Sequence, residues 1–207
     1  MLVDITNTEI EKENSINGLF SKAVLKDIDL QCKILNSDFY LDSFNYFPIT
    51  KNYQTFHALF KRQDDNPINH FYSEEFYKNL IEKQSEFKII KNSFVLGSSP
   101  ADNYFSNLIY FLPRIFFISQ KKINLAIHRN LSNKFRNLIV LICKMREVDI
   151  KFNFIDDNFY LFKNSSIPQF GDIKNSIKVL NFFIKKILLS VNTPEFGPKI
   201  YIRREDA

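Results

Sequence analysis

The chain has 207 residues, of which 45% are hydrophobic and 25% charged, the composition of a soluble globular protein with one sizeable domain or a domain and a smaller lead-in. The net charge of +5 is spread along the sequence, without the basic stripe or named module of a nucleic-acid-binding protein. No apolar run approaches the ~18 residues that span a bilayer, and the amino terminus lacks the apolar core of a signal peptide. We therefore expect a cytoplasmic protein without a nucleic-acid partner, attached at most to the inner face of a membrane.

Residues 1–90 form a less regular lead-in region. The partial alternation of apolar and polar residues from Ala23 to Leu35 predicts a half-buried strand. The aromatic segment from Phe44 to Phe60 is irregular, and Pro48 breaks any helix there. Two glutamates after Ser73 predict a short helix that ends near Ile81, since acids favour a helix amino terminus.

From Lys88 onward, strand and helix patterns alternate. Phe94–Leu96 predicts a buried strand. A helix over 100–118 follows, with Ser99 as its N-cap and a kink at Pro113. Its apolar stripe predicts one continuous buried face, formed by Phe105, Leu108, Ile109, Leu112, Ile115 and Phe116.

The remaining pattern continues in the same alternation. Strands are predicted at Ile123–Ile127, Ile150–Ile155, Phe159–Phe162 and Lys199–Arg203, and helices after Ser132 and after Gly171. Such alternation predicts a mostly parallel sheet covered on both faces. The fold class is therefore α/β, with a Rossmann-like domain over residues 91–207.

Several kinds of functional site are unsupported. Only four glycines are present, and they form neither a dinucleotide-binding fingerprint nor a P-loop. The three histidines are isolated in sequence, so no metal site is predicted. The Asp-x-Asp pattern at Asp27 and Asp29 could hold a divalent metal ion. It is so short, however, that a solvated strand face explains it better. Cys143 lies in an apolar run and is predicted to be a buried, reduced thiol.

The segment from Asp102 to Arg114 carries features that a buried amphipathic helix does not need. A proline costs roughly 3 kcal/mol in a helix interior, and here it is followed directly by Arg114. The segment resembles a sequence motif (called a phrase below) of the family 61 glycosyltransferases, which are often labelled capsular polysaccharide biosynthesis proteins. That phrase reads Asn, two aromatics, His, three residues, an acid, one residue, then Leu-Pro-Arg. The matching residues here are Asn103, Tyr104, Phe105, Leu112, Pro113 and Arg114.

A second phrase of that family resembles the last residues of the chain. The family sequence runs Lys-aromatic-hydrophobic-Ser-Arg, and its Arg lies in the cleft between two domains. Arg204 matches that Arg, Asp206 and Ala207 match the family residues after it, and Arg203 replaces the Ser. An arginine there suits bidentate contact with a diphosphate, although a solvated strand end is the alternative interpretation.

The resemblance covers residues 91–207 and implies the acceptor-side half of a bacterial GT-B-type glycosyltransferase, a transferase without a metal cofactor. Its ligands would be a nucleotide sugar and a glycan or lipid-linked acceptor. The Gly-rich donor-binding half is absent from these residues, which implies a fragment that is inactive alone. Substrate-binding roles are implied for Asn103, Ser106, Arg114 and Arg204.

No catalytic residue is assigned, because Ser106 and Tyr110 stand where the family has its His and its acid. Two other functions stay open. The first is a degenerate, non-catalytic α/β binding or assembly module. The second, supported by net charge alone, is a regulatory domain for a phosphorylated ligand.

Overall fold

Nine strands form one sheet in the part of the chain that the structure describes. The computed structural model describes residues 8–12, 20–25, 30–42, 47–50, 82–97, 103–156, 158–169 and 173–190. The strands are β1 Thr8–Lys12, β2 Phe20–Leu25, β3 Leu30–Asp42, β4 Phe47–Thr50, β5 Lys88–Lys91, β6 Ser93–Val95, β7 Lys122–His128, β8 Asp149–Ile155 and β9 Phe159–Gln169. The predicted strands near residues 94, 125, 152 and 160 are thereby confirmed, whereas Lys199–Arg203 lies outside the described residues, as does the helix predicted after Ser73.

Within the described ranges, three longer helices follow strands β6, β7 and β9. Helix α1 consists of an α-helical turn (Tyr104–Ser106), a π-helical segment (Asn107–Phe111) and a 3₁₀ segment (Leu112–Phe117). Helix α2 is Asn133–Met145 and helix α3 is Ile173–Ser190. A 3₁₀ turn, Gln84–Glu86, precedes β5.

Helix α1 differs from its prediction in two ways. Its N-cap is Asn103 rather than Ser99, because the Asn103 side chain accepts a hydrogen bond from the Ser106 backbone N–H. The apolar stripe is not continuous either, since Phe105 is 61% exposed. The π-helical turns are wider than α-helical ones and rotate the later residues relative to the first turn. Pro113 lies where the π segment gives way to the 3₁₀ segment, as expected of a residue without a backbone N–H.

The lead-in residues also fold differently from the prediction. The single strand expected from Ala23 to Leu35 is two antiparallel strands, β2 and β3, whose residues Leu25 and Leu30 face each other. Alternation continues through both arms of a hairpin, so the period alone does not reveal the turn. Pro48 lies in β4, which pairs only with β3 among the described strands, and an edge strand tolerates proline.

The sheet combines parallel and antiparallel pairing. Its order is β1-β2-β3-β9-β6-β7-β8, with β4 beside β3 and β5 beside β9. Strands β9, β6, β7 and β8 are mutually parallel, as is the β5–β9 pair, whereas the pairs formed by β1 to β4 are antiparallel. Because β3 pairs along most of β9, the sheet runs continuously from the lead-in region into residues 91–207.

The sheet bends sharply at one row of residues. In β3 the register shifts between Ser37 and Phe39. The facing residues Asn92 and Asn164 have positive φ angles of 50° and 46°, a conformation that asparagine tolerates better than most residues. The Asn164 backbone N–H donates to Asp38 Oδ1 at 2.8 Å, and the Asn164 side-chain Nδ2 donates to Asn92 Oδ1 at 2.6 Å. These two bonds join β9 to β3 and to the β5–β6 segment at the bend.

The strand register shows how strongly the sheet is bent. In a flat sheet, the pairing would separate Lys88 from Asp156 by about ten residues, or roughly 33 Å along the strands. Their side chains instead meet at 3.2 Å. The half-sheet before the bend, formed by β4, β5 and the adjoining halves of β3 and β9, therefore folds over the face of β6, β7 and β8.

The two faces of the parallel strands have different coverings. All three helices pack on one face, against side chains that include Phe94, Leu125 and Ile127. On the other face, Val95, Ala126 and Ile155 pack against residues of the bent half-sheet, among them Phe39, Leu41, Tyr160 and Phe162. A mixed α/β fold is thus confirmed, with helices covering one face and strands the other.

Candidate functional site at the carboxyl ends of the parallel strands

Three parallel strands end at one edge of the sheet, where ligands of open α/β sheets usually bind. Strand β6 ends in a turn at Gly97, whose φ of 80° favours glycine, and the N–H groups of Leu96 and Gly97 both donate to Ala126 O at 3.1 Å. Arg129 follows β7, and its N–H donates to Ile155 O at 2.8 Å. This edge therefore brings together the residues that follow β6, β7 and β8.

The amino terminus of α1 reaches the same edge. Asn103 Oδ1 accepts a hydrogen bond from Ser106 N at 3.1 Å, so these two predicted site residues adjoin. The rings of Tyr104 and Phe105 are 60% and 61% exposed. The Tyr104 ring meets Phe135, in the first turn of α2, edge to face with 5.8 Å between the centroids. The amino termini of the two helices therefore lie side by side.

Arg114, another predicted site residue, lies in the interior. It is 4% exposed, and its Nη1 donates to Leu96 O at 3.0 Å. Its guanidinium also lies 5.0 Å from the centre of the Phe111 ring. These contacts connect α1 to the carboxyl end of β6, a bracing role. Arg204 lies outside the described residues.

A charged cluster at this edge was not predicted from the sequence. Asp156 follows β8 and accepts hydrogen bonds from the hydroxyl of Tyr160 and from Lys88 Nζ at 3.2 and 3.3 Å. Arg129 Nη2 lies 3.2 Å from Asp156 Oδ2. The backbone N–H of Asp156 donates to the Tyr160 hydroxyl at 2.9 Å. One carboxylate thus holds two cations, and the side chains of Asp156, Lys88 and Arg129 together carry one net positive charge.

Both acidic groups of the cluster have shifted pKa values. The hydrogen bond from Tyr160, followed by that from Lys88, holds the pKa of Asp156 well below its ordinary value of 3.8. Burial and the hydrogen bond to Asp156 raise the pKa of Tyr160 to about 12. At neutral pH Asp156 is therefore ionised and Tyr160 neutral. A carboxylate stabilised in this way is a weak general base, so the cluster is better suited to hold an anion than to abstract a proton.

The sequence contained part of the signal for this cluster. Polar residues directly after strands β7 and β8 belong to the ligand-binding edge of a parallel sheet, and this rule points to Arg129 and Asp156. It does not point to Lys88, which comes 68 residues before Asp156 and reaches it only because the sheet bends.

Other features of the described residues bear on ligands and membranes. Within them, no group of three or more His, Cys, Asp or Glu side chains is placed to hold a metal ion. None of the helices in the described ranges is long and apolar enough to cross a membrane. Cys143 is buried as predicted, and burial raises the pKa of its thiol to about 11. The chain matches no known family model, no curated protein and no solved structure.

Proposed function

We propose that the chain is the acceptor-side domain of a glycosyltransferase that resembles family 61. Such an enzyme would transfer a sugar from a nucleotide donor to a surface polysaccharide or a lipid-linked glycan. The observation that carries the proposal is the pair of exposed aromatic rings, Tyr104 and Phe105, beside Asn103 and Ser106 at the carboxyl edge of the parallel strands.

This edge has the chemistry of a sugar acceptor site. Aromatic rings provide large, rigid contact surfaces, on which the C–H face of a sugar ring can stack. The Asn103 carboxamide and the Ser106 hydroxyl are groups that exchange hydrogen bonds with sugar hydroxyls. Aromatic side chains are enriched at binding surfaces, and here two of them stand exposed next to these polar groups.

The arrangement of the strands supports the same proposal. Read from the sheet edge, β8, β7 and β6 stand in the order 3-2-1, which is the order of one Rossmann half. The positive cluster around Asp156 lies at the edge where a diphosphate leaving group would need stabilisation. Transfer would then depend on positioning and charge stabilisation without a metal, in the cytoplasm or at the inner face of the membrane.

A non-catalytic binding module is the second candidate. It is favoured by Tyr110, which occupies the position of the family's acid and packs partly buried against the apolar core. Ser106 likewise replaces the family's His. A module of this kind would bind the glycan without transferring a sugar.

Both candidates predict that the protein binds a glycan, and an acceptor-binding experiment tests this shared expectation. Saturation-transfer NMR with a panel of neutral oligosaccharides should show contacts that disappear in the double variant Tyr104→Ala/Phe105→Ala. Leu141→Ala, an exposed position on α2 (52% exposed), is the matched control and should leave the contacts unchanged. Equal signals from all three proteins would refute the assignment of the acceptor site.

Sugar transfer separates the two candidates. We expect residues 1–207 alone to give no saturable heat with nucleotide sugars at millimolar concentration, because donor binding is assigned to a second domain. A protein that also contains the donor-binding domain should transfer label from a nucleotide sugar to the bound oligosaccharide. Acceptor binding without any label transfer would favour the module.

A further inference from the structure

The bend in the sheet leaves part of one face open. On the face opposite the helices, β7 carries Lys122 and Asn124, and β8 carries Lys151. Farther along the same face, Ala126 and Ile155 are fully buried beneath the bent half-sheet. The side chains thus change from polar to apolar where the covering strands begin, and the amino ends of β7 and β8 remain accessible.

A cavity of about 320 Å³ lies at these amino ends. It is at the opposite edge of the sheet from the carboxyl-edge site described above. Ile123 and Ile150 also line it, although their side chains pack in the core on the helix-covered face. Its polar wall is formed by Asn92, Gln120, Lys122, Asn124, Asp149 and Lys151.

The charges in this cavity favour a single anion. Lys122 faces Asp149 across the β7–β8 pair, and Lys151 faces Asn124. Among the described residues, no ion pair joins either lysine to Asp149 or to another acid. Two ammonium groups and one carboxylate give the wall a net charge of +1, so a ligand with one negative group is attracted and a cation is not.

The amide groups of the wall are held in place. Asn92 Oδ1 accepts a hydrogen bond from Asn164 Nδ2 at 2.6 Å, and Asn92 O accepts one from Asn124 Nδ2 at 3.2 Å. The bend thus fixes two carboxamides before any ligand arrives, which lowers the entropy cost of binding. Fixed carboxamides and a carboxylate match the paired hydroxyl groups of a sugar, since they offer both acceptors and donors.

We propose that this cavity binds a small anionic sugar, a monosaccharide that carries one carboxylate or one phosphate group. Its anionic group contacts Lys122 and Lys151, and its hydroxyls bond to Asp149 and to the carboxamides. The volume lies at the lower end of the ~300–1,000 Å³ usual for small-molecule sites, which suits one sugar ring. This inference does not depend on the proposed function, whose test uses residues at the other edge.

Titration calorimetry with glucuronate, glucose 6-phosphate, glucose and inorganic phosphate tests the proposal. At least one of the two anionic sugars should bind at millimolar concentration or tighter. Glucose and inorganic phosphate should each bind at least ~10-fold more weakly than that sugar, because each lacks one half of the recognised groups. Whichever anionic sugar binds more tightly identifies the preferred anion.

Charge-removing variants locate the site. Lys122→Gln and Lys151→Gln should each weaken binding by about 3- to 10-fold, a range that allows for solvent screening of exposed charges. Lys144→Gln, an exposed lysine on α2, should have no effect, and circular dichroism should show that all variants remain folded. The proposal is overturned if glucose or phosphate binds as tightly as the anionic sugars, or if Lys144→Gln matches the cavity variants.

Discussion

Replacing Arg146 with methionine should lower the free energy of unfolding by about 3–5 kcal/mol, because Arg146 donates to three buried carbonyls and each buried acceptor that loses its donor costs about 1–3 kcal/mol. Arg146 is 5% exposed. Burial lowers the pKa of its guanidinium to about 10, so it remains charged at neutral pH. Its side chain leaves the carboxyl end of α2 and reaches the end of α1.

The magnitude follows from the groups that Arg146 contacts. Its Nη1 donates to Ile115 O, and its Nη2 donates to Phe116 O and Ile118 O at 3.3 and 2.9 Å. These carbonyls close α1, where a helix has unsatisfied acceptors and a partial negative charge. Ile115 O also accepts from the Ile118 backbone N–H at 3.1 Å. Three hydrogen bonds from a charged donor, at about 1.5–3 kcal/mol each, would add up to more than the expected loss. Methionine, however, removes the cost of burying the charge while keeping the contact with the Phe116 ring.

Urea unfolding followed by circular dichroism measures this loss, with an unchanged m-value as evidence that the variant still unfolds in one step. Arg146→Lys should lose an intermediate amount, because one ammonium keeps the charge but does not span three carbonyls. Lys144→Met, two residues earlier and exposed, should change stability by less than about 0.5 kcal/mol. A loss below about 1 kcal/mol for Arg146→Met would show that the α1 carbonyls do not depend on this side chain.

Three further predictions concern the charged cluster, the bend and the buried thiol. The pKa of Asp156 is lower in the folded protein than in the unfolded chain. The wild type should therefore exceed Asp156→Asn in free energy of unfolding by a constant amount above about pH 4, and by less as the pH falls below it. A difference that does not change between about pH 6 and pH 3 would contradict this. Asn164→Gly should be more stable than Asn164→Ala by about 1 kcal/mol in the same urea assay, since both lose the amide and only alanine resists a positive φ; equal stabilities would argue against the bend. Cys32, the other cysteine of the chain, is first replaced by serine so that only Cys143 can react. The raised pKa should make the thiolate fraction of Cys143 at pH 8 about 100-fold smaller than that of an ordinary cysteine, so reaction with an aromatic disulfide should be fast only in urea.

The sequence predicted most elements of residues 91–190 because their periods are strong, although β9 continues to Gln169, seven residues beyond the predicted strand Phe159–Phe162. Each of α2 and α3 carries an apolar stripe with the helical period, and β7 is a short apolar run between polar segments. Helix α1 was less predictable, because the π-helical segment, which rotates its face, leaves no mark on the apolar spacing. The prediction therefore found the helix and misplaced both its start and the environment of Phe105.

The candidate site was predictable only where its residues are close in sequence. Asn103 and Ser106 were identified together, and they adjoin in the structure. Arg114 was selected by the same phrase, but its burial depends on how α1 packs against β6, which no local pattern specifies. Lys88 was missed because its partner Asp156 is brought near by pairing between strands far apart in the chain.

The bend has the largest consequences for function, and it was the least predictable feature. It depends on two asparagines in β5–β6 and β9 that face each other with positive φ and on an aspartate in β3 that holds one of them. Separately, each of these residues looks like an ordinary polar residue in a strand. Together they fold one half of the sheet over the other.

The bend determines the surroundings of both candidate ligand sites. Before the bend, the folded half-sheet carries Lys88 and Tyr160 to Asp156, where they join Arg129 in the charged cluster. At the bend itself, Asn92 forms part of the wall of the amino-end cavity, whose open face lies just beyond the covering strands. A flat sheet with the same strand order would leave Lys88 roughly 33 Å from Asp156. The chemistry at each edge of the sheet therefore follows from a long-range bend, which explains why local sequence patterns identified strands and helices more successfully than sites.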